Sequence, residues 1–183
     1  YVTLGGILQL VPALRNRYPA LHRWNGRLYI LTACFMALGG LWLTWGRDTY
    51  LSTISGLGVS LNGVLILVFA SLTLRTAMQR KLDRHRQWAM RTFLVVNGVW
   101  FFRVGLMGWI LINQGPVGMN STLSGPADIA LEFGSYLIPL AVLELYFMAQ
   151  RSRSPGRKIV TSGVVLTMTA LMTVGIVGAT VFM

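Results

Sequence analysis

Acid is what this chain lacks most. Five of its 183 residues are Asp or Glu, against sixteen Lys and Arg, and charged residues reach only 11%. Soluble domains carry about 25% charged residues, so a water-soluble globule is disfavoured at once. Cysteine is nearly absent too. Cys34 stands alone inside an apolar run, so no disulfide can form within the chain and nothing follows about redox compartment. No cysteine pair, carboxylate-rich cluster, nucleophile elbow or phosphate loop occurs, which leaves a hydrolase or nucleotide enzyme without its machinery. Whether the chain catalyses anything stays open. The layout of a secretory signal peptide is missing as well. The sequence opens at Tyr1 within an apolar stretch, so more of that first helix is expected upstream.

What the chain has is grease. Hydrophobic residues make up 54%, and apolar stretches of roughly 20 residues cross the hydrocarbon core as helices. Six such segments are expected: 1–11 (partial, ending before Pro12), 28–45, 57–74, 88–112, 129–148 and 159–183. The expected fold class is therefore all-α, a polytopic transmembrane bundle forming one membrane domain over residues 1–183. The lipid bilayer is its first partner.

The net charge of +11 raises the question of nucleic acid, but the positions of the charges answer it differently. Arg15, Arg17, Arg23 and Arg27 lie between segments one and two. Arg75, Arg80, Lys81, Arg84, Arg86 and Arg91 lie between three and four or just inside four. Arg151, Arg153, Arg157 and Lys158 lie between five and six. Fourteen of sixteen basic residues thus fall in alternate connections, on one side of the membrane. The positive-inside rule makes that side cytoplasmic, and no nucleic-acid role is needed. The opposite loop, 113–126, is uncharged and rich in Gly, Pro, Ser and Asn, hence irregular. Its Asn120-Ser121-Thr122 triplet reads as chance.

Ionisable residues inside spans are default site candidates with a partner to be named. Arg103 lies roughly 13 Å from the outer end of segment four and Glu132 roughly 8 Å into segment five, counting 1.5 Å per residue. An Arg103–Glu132 ion pair is expected, locking two helices, with a role in transport or chemistry as the alternative. Glu144 pairs with Arg91, or else faces a polar cavity shared with His22 or His85. Pro139, before Glu144, should kink segment five. Asn62, Asn97 and the Gly105/Gly108 and Gly175/Gly178 pairs mark expected close helix contacts, and the five Thr of segment six suit a packing helix.

One layout recurs. "HRWNGR", His22 to Arg27, and "HRQWAMR", His85 to Arg91, each set His, Arg and Trp at the start of a span. Trp24, Trp88, Arg23, Arg27 and Arg91 are explained by interfacial anchoring. The two histidines are not. They read as capping groups or as a pair of ligands for haem b, a quinone or a metal, and both sit at loop–helix junctions. The basic end would also attract anionic lipid headgroups.

These two motifs, with Gln9, Arg15, Gly26 and Tyr29, resemble the bacterial integral-membrane family named domain of unknown function 2306. Arg103, and Glu144 after Pro139, fall where that family carries such residues; Ala89 and Leu140 depart from it. The resemblance implies a multi-pass membrane fold with further helix upstream, and it implies no activity. Three functions stay open: an accessory or ligand-binding subunit of a membrane assembly, a redox protein holding haem b or quinone through His22 and His85, and a carrier of an anionic lipid or solute.

Overall fold

The computed structural model describes residues 2–181, apart from the side chains of Arg15 and Val181. The expected segment ends at Tyr1 and Met183 lie outside the described residues. Eight helices are described: α1 (Val2–Leu10), α2 (Pro12–Arg17), α3 (Pro19–Gly46), α4 (Thr53–Met78), α5 (Leu82–Val96), α6 (Gly98–Asn113), α7 (Pro126–Arg151) and α8 (Pro155–Val181). Proline punctuates them. Pro12, Pro19, Pro126 and Pro155 each open a helix, where the missing N–H costs nothing and the fixed φ is already helical. Two do otherwise: Pro116 lies in the loop between α6 and α7, and Pro139 is carried inside α7.

Four helices, α3, α4, α7 and α8, are long and apolar enough to cross a membrane, and α5 with α6 would together make a fifth span. The nine residues of α1 reach only about 13 Å. The stretch read as one segment, 88–112, is two helices that meet at Asn97. Its side-chain Nδ2 donates to the Phe93 carbonyl at 2.8 Å, and its backbone N–H donates to the same oxygen at 3.2 Å. The backbone bond is an ordinary helical rung, and the side chain shares its acceptor as Asn does near helix ends; the glycine that follows offers no resistance to a break.

The helices cluster into two units, one running through Asn97 and the other from Gly98 onward. In the first, α4 packs against α3 and α5, while α1 lies against α3 and touches α5. The chain reverses between α3 and α4 and again between α4 and α5, so the starts of α3 and α5 share one end with the finish of α4. The second reversal is tight: Arg80 adopts φ 56° and Lys81 N–H donates to Thr76 O at 3.0 Å.

The faces of α3 are arranged for lipid. Trp24, Leu28, Leu31, Phe35, Leu38, Trp42 and Trp45 are exposed, at alternating steps of four and three. Tyr29, Ala33, Ala37 and Thr44 are buried. Bulky side chains thus face the hydrocarbon while small ones face neighbours, because lipid gives no hydrophobic drive between helices and close backbone approach decides packing.

In the second unit α6 packs on α7 and α8, which also pack on each other. A Cβ on Gly175 would collide with the Val104 carbonyl oxygen, one on Gly108 would stand 3.3 Å from Gly175 Cα, and one on Gly178 would stand 3.2 Å from Met107 O. Glycine lets α6 and α8 touch backbone to backbone there. Gly105 instead faces Leu131 of α7. The α8 threonines bond back to their own helix, as Thr167 Oγ1 does to Gly163 O and Thr173 Oγ1 to Thr169 O. The loop between α6 and α7 is irregular yet heavily bonded: Trp109 Nε1 donates to Val117 O at 2.9 Å, and the Asn120 amide holds Ser124.

Candidate functional site

The residues of the two motifs and their companions all lie in the first unit, and the structure sorts them by task. One group welds α1 to α3. Gln9 Nε2 donates to the His22 carbonyl at 3.1 Å, and Asn25 Nδ2 donates to the Gly5 carbonyl at 2.9 Å. Gly26 lacks a Cβ where the Gln9 side chain passes, at 3.1 Å from its Oε1. Tyr29 is buried, and its ring, with that of Phe93 from α5, closes over Gly6. Gln9, Gly26 and Tyr29 are therefore packing and anchoring residues.

His22 lies in the first turn of α3, its N–H bonded to Tyr18 O at 3.1 Å, and its Nδ1 is buried. His85 lies in the first turn of α5, its N–H bonded to Lys81 O at 2.8 Å. Both histidines thus sit just inside helices. The His85 ring reaches across to α4, with Nδ1 3.0 Å from the Thr73 carbonyl oxygen. A carbonyl only accepts, so Nδ1 carries the proton, and in the neutral ring Nε2 holds the lone pair. The same oxygen also accepts from Thr76 Oγ1 at 3.1 Å. Below it, Thr73 Oγ1 and Thr92 Oγ1 lie 2.9 Å apart and fully buried. Each hydroxyl has one proton, so one threonine bonds its own helix, at Phe69 O or Trp88 O, while the other donates across. Nothing in the sequence marks Thr73 and Thr92 as partners.

The tryptophans and arginines form two equivalent pairs, each spaced by three residues. The Arg27 guanidinium lies 5.3 Å from the Trp24 ring centre, and that of Arg91 lies 4.6 Å from Trp88. Trp24 is 69% exposed, so the α3 pair faces outward. Trp88 is half-buried and also meets Phe69 of α4, ring centres 5.5 Å apart. Arg23, Arg27, Arg75, Arg80, Lys81, Arg84 and Arg86 are all exposed at this end.

The other sequence candidates fall in the second unit. Arg103 is exposed on α6, while Glu132 and Glu144 are half-buried on α7. Since α6 and α7 pack together, the helices bearing Arg103 and Glu132 are neighbours, as expected, and the pair itself stays a proposal. Arg91 and Glu144 belong to different units, and their pairing stays an expectation. One carboxylate went unnoticed in the sequence. Asp128 is 4% exposed, and its Oδ2 accepts from the backbone N–H of Asn120 at 3.0 Å and of Gly125 at 3.2 Å. It closes the start of α7 and the loop before it. Its legible signal was position, third in a helix opened by Gly125-Pro126. Among the described residues, no three His, Cys, Asp or Glu side chains are grouped to hold a metal.

A family model described as a predicted membrane protein, domain of unknown function 2306, matches residues 1–147. The chain belongs to that family. No curated protein and no solved structure matches it.

Proposed function

We propose that this membrane protein is an embedded ligand-binding or accessory subunit whose basic end captures an anionic group, with anionic lipid headgroups as the first ligand class. One observation carries the reading. The starts of α3 and α5 and the finish of α4 gather seven exposed cations, with Asp83 as the one carboxylate among them. A cluster of this kind beside a bilayer gains about 1 kcal/mol per Lys or Arg near an anionic surface. The two Trp–Arg pairs suit the headgroup level, where an indole meets both hydrocarbon and water. By the same charge rule this end faces the cytoplasm of a bacterial cell.

The test is native mass spectrometry of the purified full chain offered phosphatidylglycerol and phosphatidylcholine. The expected result is selective retention of phosphatidylglycerol that weakens with salt and falls about 30-fold in R84Q/R86Q, near 1 kcal/mol for each cation removed. Equal retention of the two lipids removes the reading.

A redox role is the second reading, and the His85–Thr73 bond favours it. A ring that donates Nδ1–H to a backbone carbonyl offers Nε2 as ligand, the arrangement usual for metal-bound histidine, and His22 starts α3 at the same end. Haem b added to the purified chain should then give a Soret band that shifts on reduction and is lost in H85A. A spectrum unchanged from free haem would exclude the haem version.

A further inference from the structure

The second unit has its own opening, between the last turns of α7 and the first turns of α8. Two clefts of about 350 and 300 Å³ lie there, adjoining at Thr161. Their linings differ in chemistry. The first is the more polar of the two, with Lys158, Tyr146, Gln150 and Ser162 beside Ala149. The second is greasy, with Leu145, Met148, Val160 and Val164, and carries Arg157 at its rim. We propose that this paired cleft is a phospholipid site, the polar half holding an anionic headgroup and the apolar half the upper part of one acyl chain.

Depth supports the division. Arg157 and Lys158 follow directly on the turn that opens α8 at Pro155, at the level where a span meets the headgroups. Val164 lies six residues beyond Lys158, about 9 Å along the axis, inside a hydrocarbon leaflet about 15 Å thick. Charge supports the choice of headgroup. The linings hold two cations and no carboxylate, which opposes a choline or ethanolamine and favours a net-negative phosphodiester. Donors are ready as well. Gln150 Nε2 donates to the Tyr146 hydroxyl at 2.7 Å, which leaves the single Tyr146 proton for another acceptor. Lys158 brings three donors and no acceptor, and a phosphate diester is acceptor only. The apolar residues are exposed in the chain itself, Met148 at 50% and Val160 at 66%, as residues covered by a lipid tail would be.

The experiment uses the full chain in a neutral detergent, titrated with dihexanoyl phosphatidylglycerol, dihexanoyl phosphatidylcholine or glycerol 3-phosphate, with binding read by native mass spectrometry. The wild-type chain should bind the short-chain phosphatidylglycerol and take up little of the other two. R157Q/K158Q should weaken that binding about 30-fold, near 1 kcal/mol for each cation removed. V164W keeps every charge and fills the apolar half, and it should reduce binding of the lipid. All of these chains are compared in an R84Q/R86Q background, so that binding at the basic end described above does not contribute and the two sites fail or stand separately. Unaltered binding in both R157Q/K158Q and V164W would overturn the proposal. So would glycerol 3-phosphate binding as tightly as the lipid, since the tail would then contribute nothing. Equal binding of the choline lipid would refute the charge argument.

Discussion

Adding one methyl group at Gly6 tests how α1 is held against the helices that carry the two histidines. A Cβ at Gly6 would stand 2.6 Å from Phe93 Cδ2 and 3.0 Å from Tyr29 Cε2, whereas apolar carbons rest at about 3.5–4.0 Å. The shortfall is close to 1 Å against two rings, and Tyr29, at 6% exposed, has little room to yield. Overpacking of this kind costs about 1–3 kcal/mol, and the better helix propensity of alanine returns roughly 1 kcal/mol. Gly6→Ala should therefore destabilise the chain by up to about 2 kcal/mol. Gly39→Ala on α3 is the control, since a Cβ there meets nothing within 4 Å; it should be neutral or stabilise by up to about 1 kcal/mol. For a chain of this size the two variants should melt roughly 4–8 °C apart. Thermal unfolding of the full chain in detergent, followed by tryptophan fluorescence, reads the difference. Retention of phosphatidylglycerol should fall in Gly6→Ala alone, because Gln9 on α1 holds the His22 carbonyl. Equal melting temperatures would refute the docking of α1 described here.

Three further outcomes follow from named contacts. Gly175→Leu should cost about 3 kcal/mol, since the new side chain meets the Val104 backbone, while Gly163→Leu, facing open space, should be close to neutral; matched melting curves would argue against the α6–α8 crossing. Thr92→Val should cost about 1 kcal/mol, the usual scale for a bond between membrane helices. The pair T73V/T92V should cost no more than that single change, because no buried hydroxyl is then left facing a methyl, and additive losses in a melting series would count against the shared bond. Asp128→Ala releases two backbone amides at the start of α7 and should cost about 1–2 kcal/mol. Faster proteolysis between Asn113 and Pro126 checks it, and an unchanged digestion rate would contradict the capping role.

Reading these residues from the sequence succeeded where the cause is local. The long apolar stretches and the alternate basic connections are each properties of one short piece of chain. So is the recurrence of His, Arg and Trp near the starts of α3 and α5. The break at Asn97 was missed because Asn is tolerated inside membrane helices, and only the backbone shows where α5 ends and α6 begins. The Gly175 contact was expected from small residues, but its partner was not, since Gly105 turns to α7 and Gly108 to α8. For His85, a loop–helix junction and a capping or ligand role were legible. Its bond to Thr73 joins residues twelve apart across a turn, which no periodicity announces.

Composition and charge order alone decided that this chain is a helical membrane protein with its cations concentrated in alternate connections. Those properties depend on the transfer of single segments between water and hydrocarbon, and each segment carries its own answer. Which side chains meet was decided only in three dimensions. In lipid, a helix face that packs and one that meets acyl chains are both apolar, so the stripe of Tyr29, Ala33 and Ala37 is not distinguished from that of Leu28, Leu31 and Phe35 by polarity. Size, shape and the few hydrogen bonds between helices make that choice, and they act only once the neighbours are in place.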